Sequence, residues 1–266
     1  MQTSVQWFIF QIVVSTAAFG LGLHVGRTTV LRKSLWLGFG LGILVYGTWL
    51  QKTPSVAVQM VPLWVLPYIE GTAGVPGFML VIGVFYAHSK LPQQRRLAAL
   101  AVLLGVIYFF QGGLWMLQVT PTRTFAHNAD GELVRQSRDY SCVAASCATA
   151  LRQLGVDTSE SEMAMLTQTR PGTGSTIVRA LHGLQIRLSG MGVIPSMLEP
   201  SYEQVMRLEM PILTLLQLEL GKQHMVTLLR IDDMGVQVAD PQRGMLYLSH
   251  DELRASYVGQ VITFEQ

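Results

Sequence analysis

The sequence predicts an all-α transmembrane region followed by an α+β domain, helices first and antiparallel sheet second. Three observations predict it. The chain has 266 residues, half of them hydrophobic. Its mean hydropathy of +0.35 is apolar for a soluble protein. The long uncharged runs crowd into the first ~120 positions, at lengths near the ~20 residues a membrane helix needs. Beyond them come apolar, helix-patterned stretches and then short β-rich segments bounded by Gly, Pro or Asp. The chain therefore divides into a transmembrane region of about four helices at 1–120, a polar linker at 121–133 and a folded domain at 134–266. A net charge of +2 gives no footprint for nucleic acid. No glycine-rich nucleotide loop is present, so ATP is not expected to bind this chain. No metal or other cofactor is called for.

The first expected span is Trp7 to Val25, which carries no charge and is followed by Arg27, Arg32 and Lys33. A cleaved signal peptide would need a basic segment ahead of the apolar run, and there is none. Ser34 to Leu50 is the second, with Trp36, Tyr46 and Trp49 near its ends, where aromatic belts form. Pro54, Pro62 and Pro67 cut Gln51–Glu70 into pieces too short to cross, which suits an interfacial or re-entrant loop. Gly71 to Ala87 and Leu97 to Gln118 complete the count. The glycines at 20, 22, 26, 38, 40 and 42 are candidates for close helix contacts. Arg27, Arg32 and Lys33 flank one loop, and Lys90, Arg95 and Arg96 another. The positive-inside rule puts both loops in the cytoplasm. Four spans then make this a multi-pass protein whose folded domain is extracytoplasmic, with the lipid bilayer as a partner.

In the folded half, Asn128–Gly131 has turn chemistry. Ala144, Ala145, Cys147, Ala148, Ala150, Leu151 and Leu154 form a buried helix stopped by Gly155, so Cys142 sits at its N-terminus. Ser159–Glu162 opens a second helix, and Ser175 caps a third over Thr176–Leu184. The expected strands are Ile186–Leu188, Ile212–Leu218, Met225–Ile231, Val236–Ala239, Met245–Leu248 and Val258–Phe264. Cys142 and Cys147, five apart on one helix, point in different directions and are not expected to form a disulfide.

Chemistry concentrates at Cys142. A helix N-terminus favours a thiolate, and the polar Gln136–Ser141 lead-in leaves the sulfur reachable. A thiol nucleophile needs a base and a group that orients the base. Of His127, His182, His224 and His250, only His224 opens a strand, straight after the turn Gly221-Lys222-Gln223. The return strand of the same hairpin ends at Asp240-Pro241, which brings Asp240 back beside His224. Gln136, six residues before Cys142, is placed to donate to an oxyanion together with the Cys142 backbone N–H. The plainer readings are a small core cysteine, a strand-edge histidine, an Asp-Pro turn and a loop glutamine.

The order Gln136, Cys142, His224, Asp240, with His224-Met225-Val226-Thr227 and Val238-Ala239-Asp240-Pro241…Gly244, resembles the bacteriocin-processing, double-glycine leader peptidases. These are cysteine peptidases of papain-like fold. The resemblance runs from about Val134 to the end and implies Cys142 as nucleophile, His224 as general base, Asp240 as orienting group and Gln136 in the oxyanion hole. Ser141 stands where much of the family is acidic and Val143 where glycine is usual, which narrows the cleft beside the sulfur. Membrane spans lie in front, and many relatives instead carry a transporter and an ATPase behind.

The expected function is a membrane-anchored cysteine peptidase acting on a peptide or protein. Two alternatives are a non-catalytic peptide-binding module of the same fold and a transglutaminase-like acyltransferase. The 82-residue gap from Cys142 to His224 and the upstream Gln136 favour the peptidase. A structural membrane protein with an incidental tail would leave Cys142, His224 and Asp240 apart.

Overall fold

The structure is a computed structural model that describes residues 2–118, 129–130, 133–219 and 222–265. Most of the expected linker, His127 and Gly221 lie outside the described residues. The chain falls into two compact units, Met1–Gln118 and Val119–Gln266. The first is helical and the second carries the sheet, so helices precede strands along the chain.

The first unit holds α1 (Gln2–Val25), α2 (Val30–Lys52), α3 (Pro54–Met60), α4 (Leu66–Ile69), α5 (Val75–His88), α6 (Pro92–Gly113) and a 3₁₀ turn (Leu114–Leu117). Among the described residues, three stretches are long and apolar enough to cross a membrane: Thr3–Val25, Val30–Lys52 and Pro92–Leu117. The third expected span instead forms α5, of 14 residues. At 1.5 Å per residue it is about 21 Å long, short of a ~30 Å hydrocarbon core. The proline-broken stretch between α2 and α5 forms only the short helices α3 and α4. Glycine lets α5 approach its neighbours closely. A Cβ on Gly22 or Gly83 would run into the backbone of the facing helix, and the same holds for Gly40 and Gly77 between α2 and α5. Gly20, Gly38 and Gly42 face open space, so only part of the glycine pattern marks contacts.

The second unit begins with the short antiparallel pair β1 (Ala129–Asp130) and β2 (Leu133–Val134). Three helices follow: α7 (Cys142–Gln153), α8 (Glu160–Leu166) and α9 (Ile177–Arg187). Alanine supplies α7 with helix propensity and lets it sit buried almost all round. It ends in a Schellman motif. Gly155 takes φ +77°, its N–H donates to Arg152 O, and Val156 N–H donates to Leu151 O. Ser159 caps α8 by accepting from Glu162 N–H. Thr176 rather than Ser175 caps α9, while Ser175 Oγ donates to Thr167 O.

The remaining elements are β3 (Ile194–Leu198), α10 (Tyr202–Val205), β4 (Ile212–Glu219), β5 (Lys222–Ile231), β6 (Gly235–Asp240), β7 (Gly244–Ser249), α11 (His250–Ser256) and β8 (Tyr257–Glu265). They form one antiparallel six-stranded sheet in the order β3-β8-β4-β5-β6-β7. Ile186–Leu188, expected as a strand, instead completes α9 and its C-cap. Arg187 explains why: its guanidinium pairs with Glu162 on α8 at 2.8 Å and donates to Asp157 O. β3 and β7 are the edge strands, and β3 holds Pro195, a residue tolerated at a sheet edge.

Candidate active site

Two buried hydrogen bonds fix the N-terminal part of α7 to β5. Ser146 Oγ donates to Met225 O at 2.8 Å, and Thr227 Oγ1 donates to Ser146 O at 3.1 Å. Both side chains are essentially inaccessible, so the clip is shielded from water. Ser146 lies one helical turn after Cys142 and therefore on the same face of α7. Fixing Ser146 to Met225 sets the Cys142 sulfur beside the neighbouring His224.

Register brings in the third residue. β5 and β6 pair Thr227 with Ala239 and Leu228 with Val238. Continuing that register sets Asp240 opposite Val226, within diagonal reach of His224. His224 Nε2 and Asp240 Oδ1 are 2.9 Å apart, and both residues are buried. With Nε2 engaged by Asp240, Nδ1 on the other side of the ring is left for Cys142, with which His224 also shares a hydrogen bond. Asp240 Oδ1 additionally accepts from the N–H groups of Gln242 (2.7 Å) and Arg243 (3.1 Å). The carboxylate is thus aimed by its own Asp-Pro turn.

These contacts set the electrostatics. Burial pushes the Cys142 thiol up. The hydrogen bond and charge of His224, with the backbone N–H groups of Met225 and Val143, outweigh it and hold the thiol below its ordinary 9.0. Burial pulls His224 down, but hydrogen bonds and charge from Asp240 and Cys142 push it up to about 9. Burial also pushes Asp240 up, and its bonds from His224, Gln242 and Arg243 hold it below 3.8. Each group favours its charged form, so the trio suits a thiolate–imidazolium pair backed by a carboxylate.

No side chain caps the start of α7. The N-cap, Ser141, turns its hydroxyl back to Arg138 O, and the first-turn N–H groups are left for other acceptors. Gln136 joins the same corner through its backbone, with its N–H donating to Pro241 O at 2.9 Å. The Gln136 side chain is half-buried, and its Oε1 is buried without a hydrogen-bond partner among the described residues. Val143, expected to narrow the cleft, has its side chain buried at 4% exposure, and its backbone N–H is what reaches Cys142.

The other described candidates, His250 and His182, lie elsewhere. His250 opens α11, where Nδ1 meets the Tyr202 hydroxyl and Nε2 the carbonyl of Asp232. His182 lies on α9, its pKa lowered by burial. Cys142 and Cys147 are both free thiols, and Cys147 is fully buried. Sequence reasoning missed the Ser146–Thr227 clip. Its one signal was a hydroxyl, four residues after Cys142, inside an otherwise small and apolar run.

The profile of the Peptidase C39 family matches residues 130–266. An uncharacterized protein of Methanothermobacter marburgensis is 30% identical over 137 residues, covering 52% of this chain and 90% of the relative. Among solved structures, the chain is similar to a double glycine motif protease from an AMS/PCAT transporter in complex with the leader peptide. That protease is 18% identical with a TM-score of 0.43, over 50% of this chain and 89% of the other. The peptidase domain of Streptococcus ComA, a bi-functional ABC transporter, is 15% identical with a TM-score of 0.44, over 50% and 96%. The profile spans more than half of the sequence and takes in the whole Cys142–His224–Asp240 corner, and the chain belongs to the Peptidase C39 family.

Proposed function

We propose that this chain is a membrane-anchored cysteine peptidase that hydrolyses peptide bonds in a peptide or protein substrate. Cys142 is the nucleophile, His224 the acid and base, Asp240 the orienting group and Gln136 an oxyanion donor. One observation carries the reading: the buried His224 lies, through Nε2, 2.9 Å from Asp240 Oδ1 and also shares a hydrogen bond with Cys142. In the proposed cycle the thiolate attacks the scissile carbonyl carbon. The resulting oxyanion accepts from Gln136 and from an N–H at the start of α7. The C–N bond breaks, His224 protonates the departing amine, and a thioester to Cys142 remains. Water then attacks the thioester while His224 takes its proton. The carboxylic product leaves and the thiolate returns.

The test is cleavage of a peptide library by the purified full chain, before and after stoichiometric alkylation of its reactive thiol. Cleavage that stops on alkylation is expected. Cleavage that continues at full alkylation, or a library left intact by the unmodified chain, defeats the reading.

The three long apolar helices support an integral membrane location, and with α5 taken as a fourth, shorter crossing, which puts both basic loops on one side, the Lys and Arg bias supports a peptidase domain outside the cytoplasm. A reporter enzyme active only outside the cytoplasm, fused after Gln266, is expected to be active. A silent fusion that is nevertheless expressed would put the domain on the other side.

A further inference from the structure

Glu160 is the first residue of α8 and has nothing to do with the Cys142–His224–Asp240 contacts. It is nonetheless a carboxyl group exposed by only 2%. Carboxylates are seldom buried this deeply without a task. Its Oε1 accepts the backbone N–H of Ser137 at 2.9 Å, and its Oε2 is buried without a partner among the described residues. Ser137 is the neighbour of Gln136, whose own N–H donates to Pro241 O. Gln136 is therefore held from two sides. One hold is the turn that also aims Asp240, and the other is Glu160.

We propose that Glu160 is a positioning residue for the oxyanion-donating amide of Gln136. The assignment rests on the peptidase reading above. Glu160 touches neither substrate nor the reacting atoms. It pins the Gln136–Ser137 peptide, so the amide enters the cleft from a fixed point. Without it, the part-buried Ser137 N–H loses its acceptor, and the loop relaxes to reach water. An oxyanion donor contributes through preorganised aim, so a relaxed backbone forfeits much of its effect. The Cys142–His224 pair has its own hold in β5 and the Ser146 clip.

The test compares wild type with Glu160→Ala, Glu160→Asp and Glu160→Gln as full-length chains. It measures kcat and KM on a peptide cut by wild type, together with the pH profile of iodoacetamide alkylation at Cys142. Glu160→Ala should lower kcat by about 10²-fold, the effect of an oxyanion donor, with KM and the alkylation profile unchanged. Glu160→Asp, which keeps the carboxyl group but retracts it by a methylene, should fall in the same direction. Glu160→Gln, which keeps an acceptor oxygen, should recover most of the rate. Adding Gln136→Ala to Glu160→Ala should cost little more, because the two act through one amide. Wild-type rates in Glu160→Ala, alkylation lost in parallel with turnover, or fully additive losses would overturn the assignment and leave the peptidase reading standing. A wild-type chain that cuts no peptide would instead remove the reading and the assignment together.

Discussion

Replacing Cys142 with alanine is expected to abolish peptide cleavage, a loss on the order of 10⁴-fold or more for a covalent nucleophile, and to leave the fold intact. The fold should survive because the change asks little of α7. Cys142 is the first residue of the helix, alanine is the best helix former, and the side chain is only half-buried. The Ser146–Met225 and Thr227–Ser146 bonds that dock the helix do not involve the sulfur. The same variant should lose all thiol labelling. Cys147 is wholly buried, and burial raises its pKa, so it offers neither access nor a thiolate. Fluorescent iodoacetamide labelling and circular dichroism check both halves. Labelling that persists in the folded variant would make Cys147 the reactive thiol and remove Cys142 from the proposed role.

Replacing His224 with alanine is expected to lower kcat/KM by about 10³-fold, within the range of a lost general acid–base group, and to move the pH dependence. The hydrogen bond and charge of His224 lower the Cys142 pKa, so alkylation should persist below pH 9.0. Without the imidazole, burial is opposed only by the backbone N–H groups, and the alkylation midpoint should rise. Wild-type kcat/KM should fall above about pH 9, where the His224 imidazolium loses its proton. The stability linkage has matching signs. The folded-state pKa of His224 is raised, so its contribution is full below 6.5 and disappears as pH rises through about 9. That of Asp240 is depressed, so its contribution is present above 3.8 and is lost as pH falls through the lowered value. Stopped-flow alkylation and thermal melts across pH measure these effects. An alkylation midpoint unmoved in the His224 variant would rule out the ion pair.

The parts of the molecule legible in the sequence are those written in neighbouring residues. The α7 stop is one case: Gly155 can take the left-handed conformation that ends a helix, and it does. The β5–β6 hairpin is another. A turn at Asp232–Met234 between two β-rich runs returns the chain on itself, so the proximity of His224 and Asp240 follows from hairpin geometry. The errors have equally local causes. Ile186-Arg187-Leu188 alternates like a strand, but Leu184 and Leu188 are buried on one face of α9 and Arg187 reaches Glu162 and Asp157 O. Ile194–Leu198 forms a strand outside the expected set, and its place at a sheet edge accommodates Pro195.

The sequence by itself determined the order of the parts: an apolar helical region, then helices, then an antiparallel sheet, with a cysteine at a helix start and a histidine and aspartate on one hairpin. Hydrophobic period, turn chemistry and helix caps act over a few residues, so one chain read alone carries them. The tertiary structure decided how those parts meet. Met225 holds α7 through its own backbone, with its N–H toward Cys142 and its carbonyl toward the hydroxyl of Ser146. The ring nitrogen facing Asp240, and the buried carboxyl that pins Ser137, were decided there too. Such bonds join segments tens of residues apart and depend on sheet register and helix docking. Those follow from packing the whole domain at once, and no local stretch of sequence states them.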